Sequence, residues 1–199
     1  MMRKLFLCGV FFISALVSNA QSDSSLTSLE KRLNEYMMLN KQMDFERLFD
    51  YIHPNMYKIA PRKQLVETFK KTFNNDEVTL GIDSIRHKQI SDGFLLSGAT
   101  YRKVDYYMVM WLKTKDESSM DDSSFVEIML TGLKEGFTSK DVSFDKEKKS
   151  FIIKGDDKLI AIKDTPGSVW MFLGYQKGNP YTSKLLAEQV IKHFKLEDE

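Results

Sequence analysis

The sequence VDYYMVMWL at residues 104–112 carries large apolar or aromatic side chains at nearly every position. Successive side chains of a β-strand point to opposite faces, so this stretch presents such groups on both sides. One side would carry Val104, Tyr106, Met108, Met110 and Leu112, and the other Tyr107, Val109 and Trp111. Because a strand of this kind must be covered on both faces, residues 104–112 predict a central strand of a sheet.

Further strands are predicted on both sides of this stretch. Upstream, Val78, Leu80 and Ile82 alternate with polar neighbours, and Asp92-Gly93 is a hairpin signal before residues 94–101. Downstream, strands are predicted at 142–144, 151–154, 159–163 and 169–174, separated by turns at 145–149, 155–157 and 164–167. The pattern is typical of an antiparallel meander.

Helical periodicity precedes the strands. Thr27 and Glu30 fit a capping box for a first helix over about 28–40, and Asp44 is the expected N-cap of a second, short helix. That second helix should run through Ile52 and end at His53-Pro54. A third helix follows Pro61, with Leu65, Val66, Phe69 and Phe73 on one face and a stop at Asn74-Asn75.

Two more helices are predicted later in the chain. Ser124 and Glu127 fit a capping box for a helix that ends near Gly136, inserted between strands. A last helix is predicted over about 182–194. Helices grouped at the start, followed by hairpin-linked strands, indicate an α+β domain with helices packed on a curved antiparallel sheet. The 179 residues from 21 to 199 suit a single domain.

The N-terminus has the three parts of a secretory signal peptide. A basic start that includes Arg3 and Lys4 precedes the apolar run LFLCGVFFISALV at 5–17, and small residues lead to Ala20. Cleavage is therefore expected after Ala20, with export to a periplasm or the medium. The apolar run is shorter than the about 20 residues of a membrane-spanning helix, so no stable membrane insertion is expected.

Composition excludes several classes of function. Removal of the signal removes Arg3 and Lys4, so 27 of the 29 basic residues remain beside 28 acidic ones. This nearly neutral net charge is unlike that of a nucleic-acid-binding protein. The single cysteine, Cys8, lies in the signal, so no disulfide or thiol chemistry is expected beyond it. The three histidines lack metal-ligand spacing, and neither a nucleophile motif nor a phosphate loop occurs, so no metal or cofactor is predicted.

A family resemblance emerges from the stretch Leu33 to Phe73, which contains LNKQMDFERLFDYIHPNMYKIAPRKQLVETFKKTF, and from Val169-Trp170-Met171-Phe172. In its order of elements this pattern resembles the nuclear transport factor 2-like superfamily. The resemblance implies a conical cavity between a bent sheet and the helices, and dimerisation through the open face of the sheet. Members range from ketosteroid isomerases and dehydratases to non-catalytic binding modules. The helix at 123–136 and the C-terminal helix depart from that pattern.

One set of residues would suit an isomerase or lyase. Asp105 is a candidate general base, and Tyr101 or Tyr107 a candidate donor to a developing oxyanion. Without a bulge in the strand, the three side chains share one face. The alternative is that Asp105 faces solvent and that the tyrosines are ordinary strand formers.

The aromatic groups favour a binding function over catalysis. We expect a secreted, non-catalytic domain that binds a small apolar ligand or a partner protein, with Tyr107, Trp111 and Trp170 as candidate ligand-binding residues. The methionines could line an adaptable pocket or simply fill the core. The alternatives are the isomerase or lyase described above and an interaction protein with a filled core.

Overall fold

The computed structural model of the protein describes residues 17–179 and 181–197, so the predicted signal segment lies largely outside the described residues. Within them the chain is an α+β structure. The helices are α1 Val17–Gln42, α2 Phe45–Leu48, α3 Arg62–Phe73, α4 Ser123–Gly136, α5 Thr182–Leu185 and α6 Glu188–His193. The strands are β1 Val78–Ile90, β2 Phe94–Leu96, β3 Ala99–Thr114, β4 Asp141–Asp145, β5 Ser150–Lys163 and β6 Met171–Gly174.

The predicted central strand is confirmed, because β3 lies between β1 and β5. The six strands form one antiparallel sheet in the order β1-β3-β5-β4, with β2 also paired to β3 and β6 also paired to β5. The pairing of β3 with β5 runs without a register shift from Thr100 opposite Lys163 to Leu112 opposite Phe151. The pairing of β1 with β3 has two irregularities, at Asp83 and Lys88. Such bulges bend a strand and increase its twist, which curves the sheet.

We call the side of the sheet that carries Val104 and Met110 the helix face. Val104 packs in one cluster with Leu29, Leu33 and Met37 of α1. Met110 packs with Leu130 and Leu133 of α4, along with other residues of the sheet. The inserted helix and the first helix therefore cover two regions of the same face.

The opposite side of β3, which carries Tyr101, Asp105, Tyr107 and Trp111, is called the second face. Tyr101 and its register partner Ile162 belong to a cluster with Val190 and Phe194 of the C-terminal region. Farther along the second face, Tyr107 and Trp111 remain half-buried. The C-terminal helices therefore bury one end of this face.

The predicted helix boundaries need four corrections. Helix α1 extends upstream of Thr27, so that residue is inside the helix and does not cap it. Asp44 does cap α2, with Arg47 N donating to Oδ1 at 3.2 Å, but α2 ends at Leu48 and Ile52 instead bridges to Phe172. His53 begins a 3₁₀ turn over Pro54–Lys58, where its Nδ1 accepts from Asn55 N at 3.2 Å.

The third and fourth corrections concern α4 and the C-terminus. The N-cap of α4 is Asp122, whose carboxylate accepts from Ser124 N at 2.8 Å, so the capping box of Ser124 and Glu127 is wrong. The predicted last helix is two short ones. Leu186 and Ala187 adopt extended backbone between them, which lets the adjacent Leu185 and Leu186 both enter the core.

The predicted turn at 155–157 is also wrong, because β5 continues through it without interruption. Asp156 and Asp157 pair with Tyr107 and Tyr106 of β3, so the long central strand holds this polar stretch in extended conformation. Gly-Asp-Asp is a turn sequence by local preference. Here the pairing with β3 overrides it.

None of the helices within the described residues is long and apolar enough to cross a membrane.

Candidate functional site

The outer edge of β5 is incomplete. Strand β4 covers it from Ser150 to Lys154, and β6 covers it from Leu159 to Ile162. Between them, residues 155–158 pair with β3 on the inner side only, in the part of the chain that the structure describes. Because each strand edge carries backbone donors and acceptors, this gap exposes polar groups at the side of the sheet.

A cavity of about 1020 Å³ lies at this gap. Its walls come from the gap residues, from neighbouring residues of β1 and β3, from the segment 136–140 that leads into β4, and from the segment 174–179 that begins at the last residue of β6. Tyr106, Met108, Met110 and Phe137 form its apolar part. Met110 is buried and the other three are half-buried, and we call these four residues the inner part of the cavity. The volume is at the upper end of the range typical of small-molecule sites.

Lys140, in the segment that leads into β4, reaches the gap residues of β5. Its Nζ donates to the backbone oxygen of Asp156 and lies 3.1 Å from Oδ2 of Asp157. The Lys140 side chain is only 11% exposed, against 34% for Asp157. Gly155 permits this approach, because a Cβ there would lie 2.9 Å from Cδ of Lys140. The wall of the cavity thus contains a largely buried cation.

Other charged pairs lie along the rim. Lys88 contacts Asp156 at 2.9 Å, with both side chains at least half exposed. Lys103 contacts Asp105 at 3.3 Å. An exposed ion pair such as Lys88–Asp156 contributes little to stability, so its effect is mainly on the local charge of the cavity.

Two tyrosines lie near the Asp157 carboxylate. Burial raises the pKa of the Tyr106 hydroxyl well above its usual range, and the charge of Asp157 raises it further. Burial is also the main cause that raises the pKa of Tyr36 on α1, where Asp157 contributes in the same direction. Both hydroxyls therefore stay protonated at neutral pH and can serve as hydrogen-bond donors.

The three predicted catalytic residues share a face but do not share the cavity. The absence of a bulge in β3 places Tyr101, Asp105 and Tyr107 on the second face, as alternation predicts. Asp105 lines the cavity. Tyr101 is four residues away, or roughly 13 Å along a strand, and packs in the C-terminal core cluster, where burial raises its pKa. The ring of Tyr107 lies under the guanidinium of Arg86, at 5.6 Å.

The predicted ligand-binding aromatic residues are divided between two places. Trp170 is 2% exposed and packs against Leu29 and Leu33, with its Nε1 donating to the Ser25 oxygen at 3.2 Å. Trp111 lies on the second face against Gly81. Neither tryptophan, nor Tyr107, lines the cavity described above.

Apart from Asp105, the residues that line the cavity were not predicted as site residues from the sequence. Strand alternation placed Met108 and Met110 on one face of the central strand. It could not predict that a cavity lies beside them. Asp157 was assigned to a turn and Lys140 to no element. The two come together only because β5 pairs along its full length with β3.

Within the described residues, no group of three or more histidine, cysteine, aspartate or glutamate side chains is arranged to hold a metal ion. Comparison with known proteins adds no assignment: no protein-family model matches the chain, and a search of curated proteins finds no significant match.

Proposed function

We propose that the protein is a non-catalytic binding domain for a small molecule with an apolar body, held in the cavity at the β5 gap. The observation that carries this proposal is the combination of an apolar inner part, formed by Tyr106, Met108, Met110 and Phe137, with charged side chains around the rim. Methionine side chains are flexible and polarisable, so they adapt to ligands of varied shape. Small-molecule sites are lined mainly by apolar and aromatic side chains, which these four residues supply, although the eight charged residues of the lining are more than is usual.

A small lyase or isomerase is the second candidate. The observation that favours it is the position of Asp157 near the Tyr106 hydroxyl. The wall of one cavity thus contains a carboxylate and a hydroxyl donor. Asp105 also lines the cavity, but from the opposite face of the sheet. Both carboxylates are engaged by lysines, Asp157 by Lys140 and Asp105 by Lys103, which disfavours their use as general bases.

Two further parts of the proposal rest on the sequence. We propose membership of the nuclear transport factor 2-like superfamily, which the curved antiparallel sheet with N-terminal helices supports. A homodimer through the second face is the arrangement that the resemblance implies. We also propose that residues 1–20 are a signal peptide and that the protein is secreted or periplasmic.

Export is tested by expressing the full chain in a bacterial host. We expect the protein in the periplasm or medium to begin at Gln21, because the peptidase site follows Ala20. Mass spectrometry of the intact protein measures this. As a control, replacing Ala20 with a bulky residue should block processing. Protein that stays in the cytoplasm with residues 1–20 attached would contradict the proposal.

Ligand binding is tested by filling the cavity. The purified protein is screened by thermal shift against apolar acids, alcohols, sterols and aromatic metabolites. A ligand at about 100 times its dissociation constant should stabilise the protein by about 2.7 kcal/mol. Met108→Trp adds a large ring to the cavity wall and should abolish the shift for every hit. The matched control, Met38→Trp, alters a methionine that is 48% exposed on α1 and should leave the shift unchanged.

Three outcomes would count against the proposal. A flat response across the panel would favour a partner protein as the binding target. An unchanged shift in Met108→Trp would place the ligand elsewhere. If the protein converts a bound ligand chemically, and Asp157→Asn or Asp105→Asn abolishes that conversion, the result would favour the lyase or isomerase.

A further inference from the structure

The lining of the cavity is rich in lysine. It contains five lysines and three aspartates, and each aspartate contacts one of the lysines, at 2.9 to 3.3 Å. The lysines are Lys88, Lys103, Lys140, Lys158 and Lys177, and the aspartates are Asp105, Asp156 and Asp157. An ammonium group in the wall of a concave site attracts an anionic group, most strongly where the ammonium is shielded from solvent.

Lys140 is the cation best placed to contact a ligand in the inner part. Its side chain is 11% exposed, against 18% for Lys103 and 50% for Lys88. Its ammonium group has three N–H donors. The Asp156 carbonyl and the Asp157 carboxylate accept two of them, which leaves one donor for a ligand.

The position of this ammonium relative to the apolar residues defines the ligand further. Phe137 is three residues before Lys140 on the same wall, and Met108 is opposite Gly155 in the register of β3 and β5. A ligand that contacts Lys140 therefore also reaches the methionines. A molecule with one anionic group at the end of an apolar body satisfies both contacts.

We infer that the ligand is an anionic amphiphile, of the class of alkyl carboxylates, whose carboxylate is bound by Lys140. This inference rests on the proposed binding function and adds the charge of the ligand to it. A hydrogen bond from an ammonium to a carboxylate is stronger than one to a neutral oxygen. The carboxylate should therefore bind more tightly than a neutral molecule with the same chain.

The test uses three ligands that share a twelve-carbon chain and differ in charge: dodecanoate, dodecanol and dodecylammonium. Isothermal titration calorimetry of the purified protein measures the dissociation constant of each. We expect dodecanoate to bind about tenfold more tightly than dodecanol, and dodecylammonium to bind most weakly. Raising the salt concentration should weaken dodecanoate more than dodecanol.

Lys140→Met should remove the preference for dodecanoate and leave the affinity for dodecanol nearly unchanged. The matched control is Lys148→Met, which alters a lysine that is 74% exposed in the turn between β4 and β5. Lys140→Met leaves the Asp157 carboxylate without its ion pair, which can destabilise the protein. The double variant Lys140→Met with Asp157→Leu removes both charges and serves if the single variant does not fold.

The outcomes separate this inference from the function on which it rests. Equal affinity for dodecanoate and dodecanol would overturn the anionic class and leave the apolar binding site intact. A preference for dodecanoate that persists in both Lys140 variants would overturn the role of Lys140. No binding of any of the three ligands would count against both proposals.

Discussion

Trp170→Ala is expected to lower the free energy of unfolding by about 3–5 kcal/mol, the range for removing a large buried aromatic side chain. Trp170 is 2% exposed and packs against α1, Val104 and Phe172 in one core cluster. The substitution leaves a cavity between the first helix and the sheet, and removes the hydrogen bond from Nε1 to the Ser25 oxygen. Chemical denaturation followed by circular dichroism measures the loss.

Trp111→Ala is the matched control for Trp170→Ala. Trp111 is half-buried on the second face, so its removal should cost only about 1–2 kcal/mol. Comparable losses for the two variants would contradict the core position of Trp170. A variant of Trp170 that keeps its stability but loses ligand binding would instead support a direct role of this tryptophan in binding.

Gly81→Ala is expected to destabilise the protein by about 1–3 kcal/mol, although the same change in a strand usually stabilises. A methyl carbon at Gly81 would lie 2.6 Å from Nε1 of Trp111 and closer still to ring carbons Cζ2 and Cε2. The indole lies against this glycine because the two residues are register partners on β1 and β3. Alanine must therefore displace the ring, and a shift of tryptophan fluorescence should accompany the loss of stability.

The control for Gly81→Ala is Gly174→Ala, at a strand glycine whose added Cβ would meet no atom within 4 Å. That change should be neutral or stabilise by about 0.4–1 kcal/mol. The crowding is specific to the indole, so in a Trp111→Ala background Gly81→Ala should no longer destabilise. If the loss persists without the indole, the explanation by contact with Trp111 is wrong.

The fold class could be predicted because its signals are local. Alternation over residues 104–112 identified the central strand, and the same alternation assigned Met108 and Met110 to the face that α1 and α4 cover. The Asp44 cap was confirmed because a capping carboxylate acts on an amide three residues away. The N-terminal boundaries of α1 and α4 were less accurate, because α1 extends upstream of Thr27 and Asp122, not Ser124, caps α4.

The candidate site could be predicted only in part. Asp105 was singled out from its position in the aromatic strand, and it lines the cavity. Lys140 and Asp157, which are 17 residues apart in the chain, contact each other through the pairing of β4, β5 and β3. No local pattern indicates such a contact, because it depends on which strand edges meet.

The sequence by itself determined the α+β class, the central position of β3 and the shared face of Tyr101, Asp105 and Tyr107. These features follow from the two-residue period of a strand, which is a property of consecutive residues. The tertiary structure alone decided that β5 continues through Gly155 to Asp157, that its outer edge is left open there, and that Trp170 is buried while Trp111 is not. These depend on which distant segments pack against a strand, and a period of two places side chains on a face without specifying what covers it.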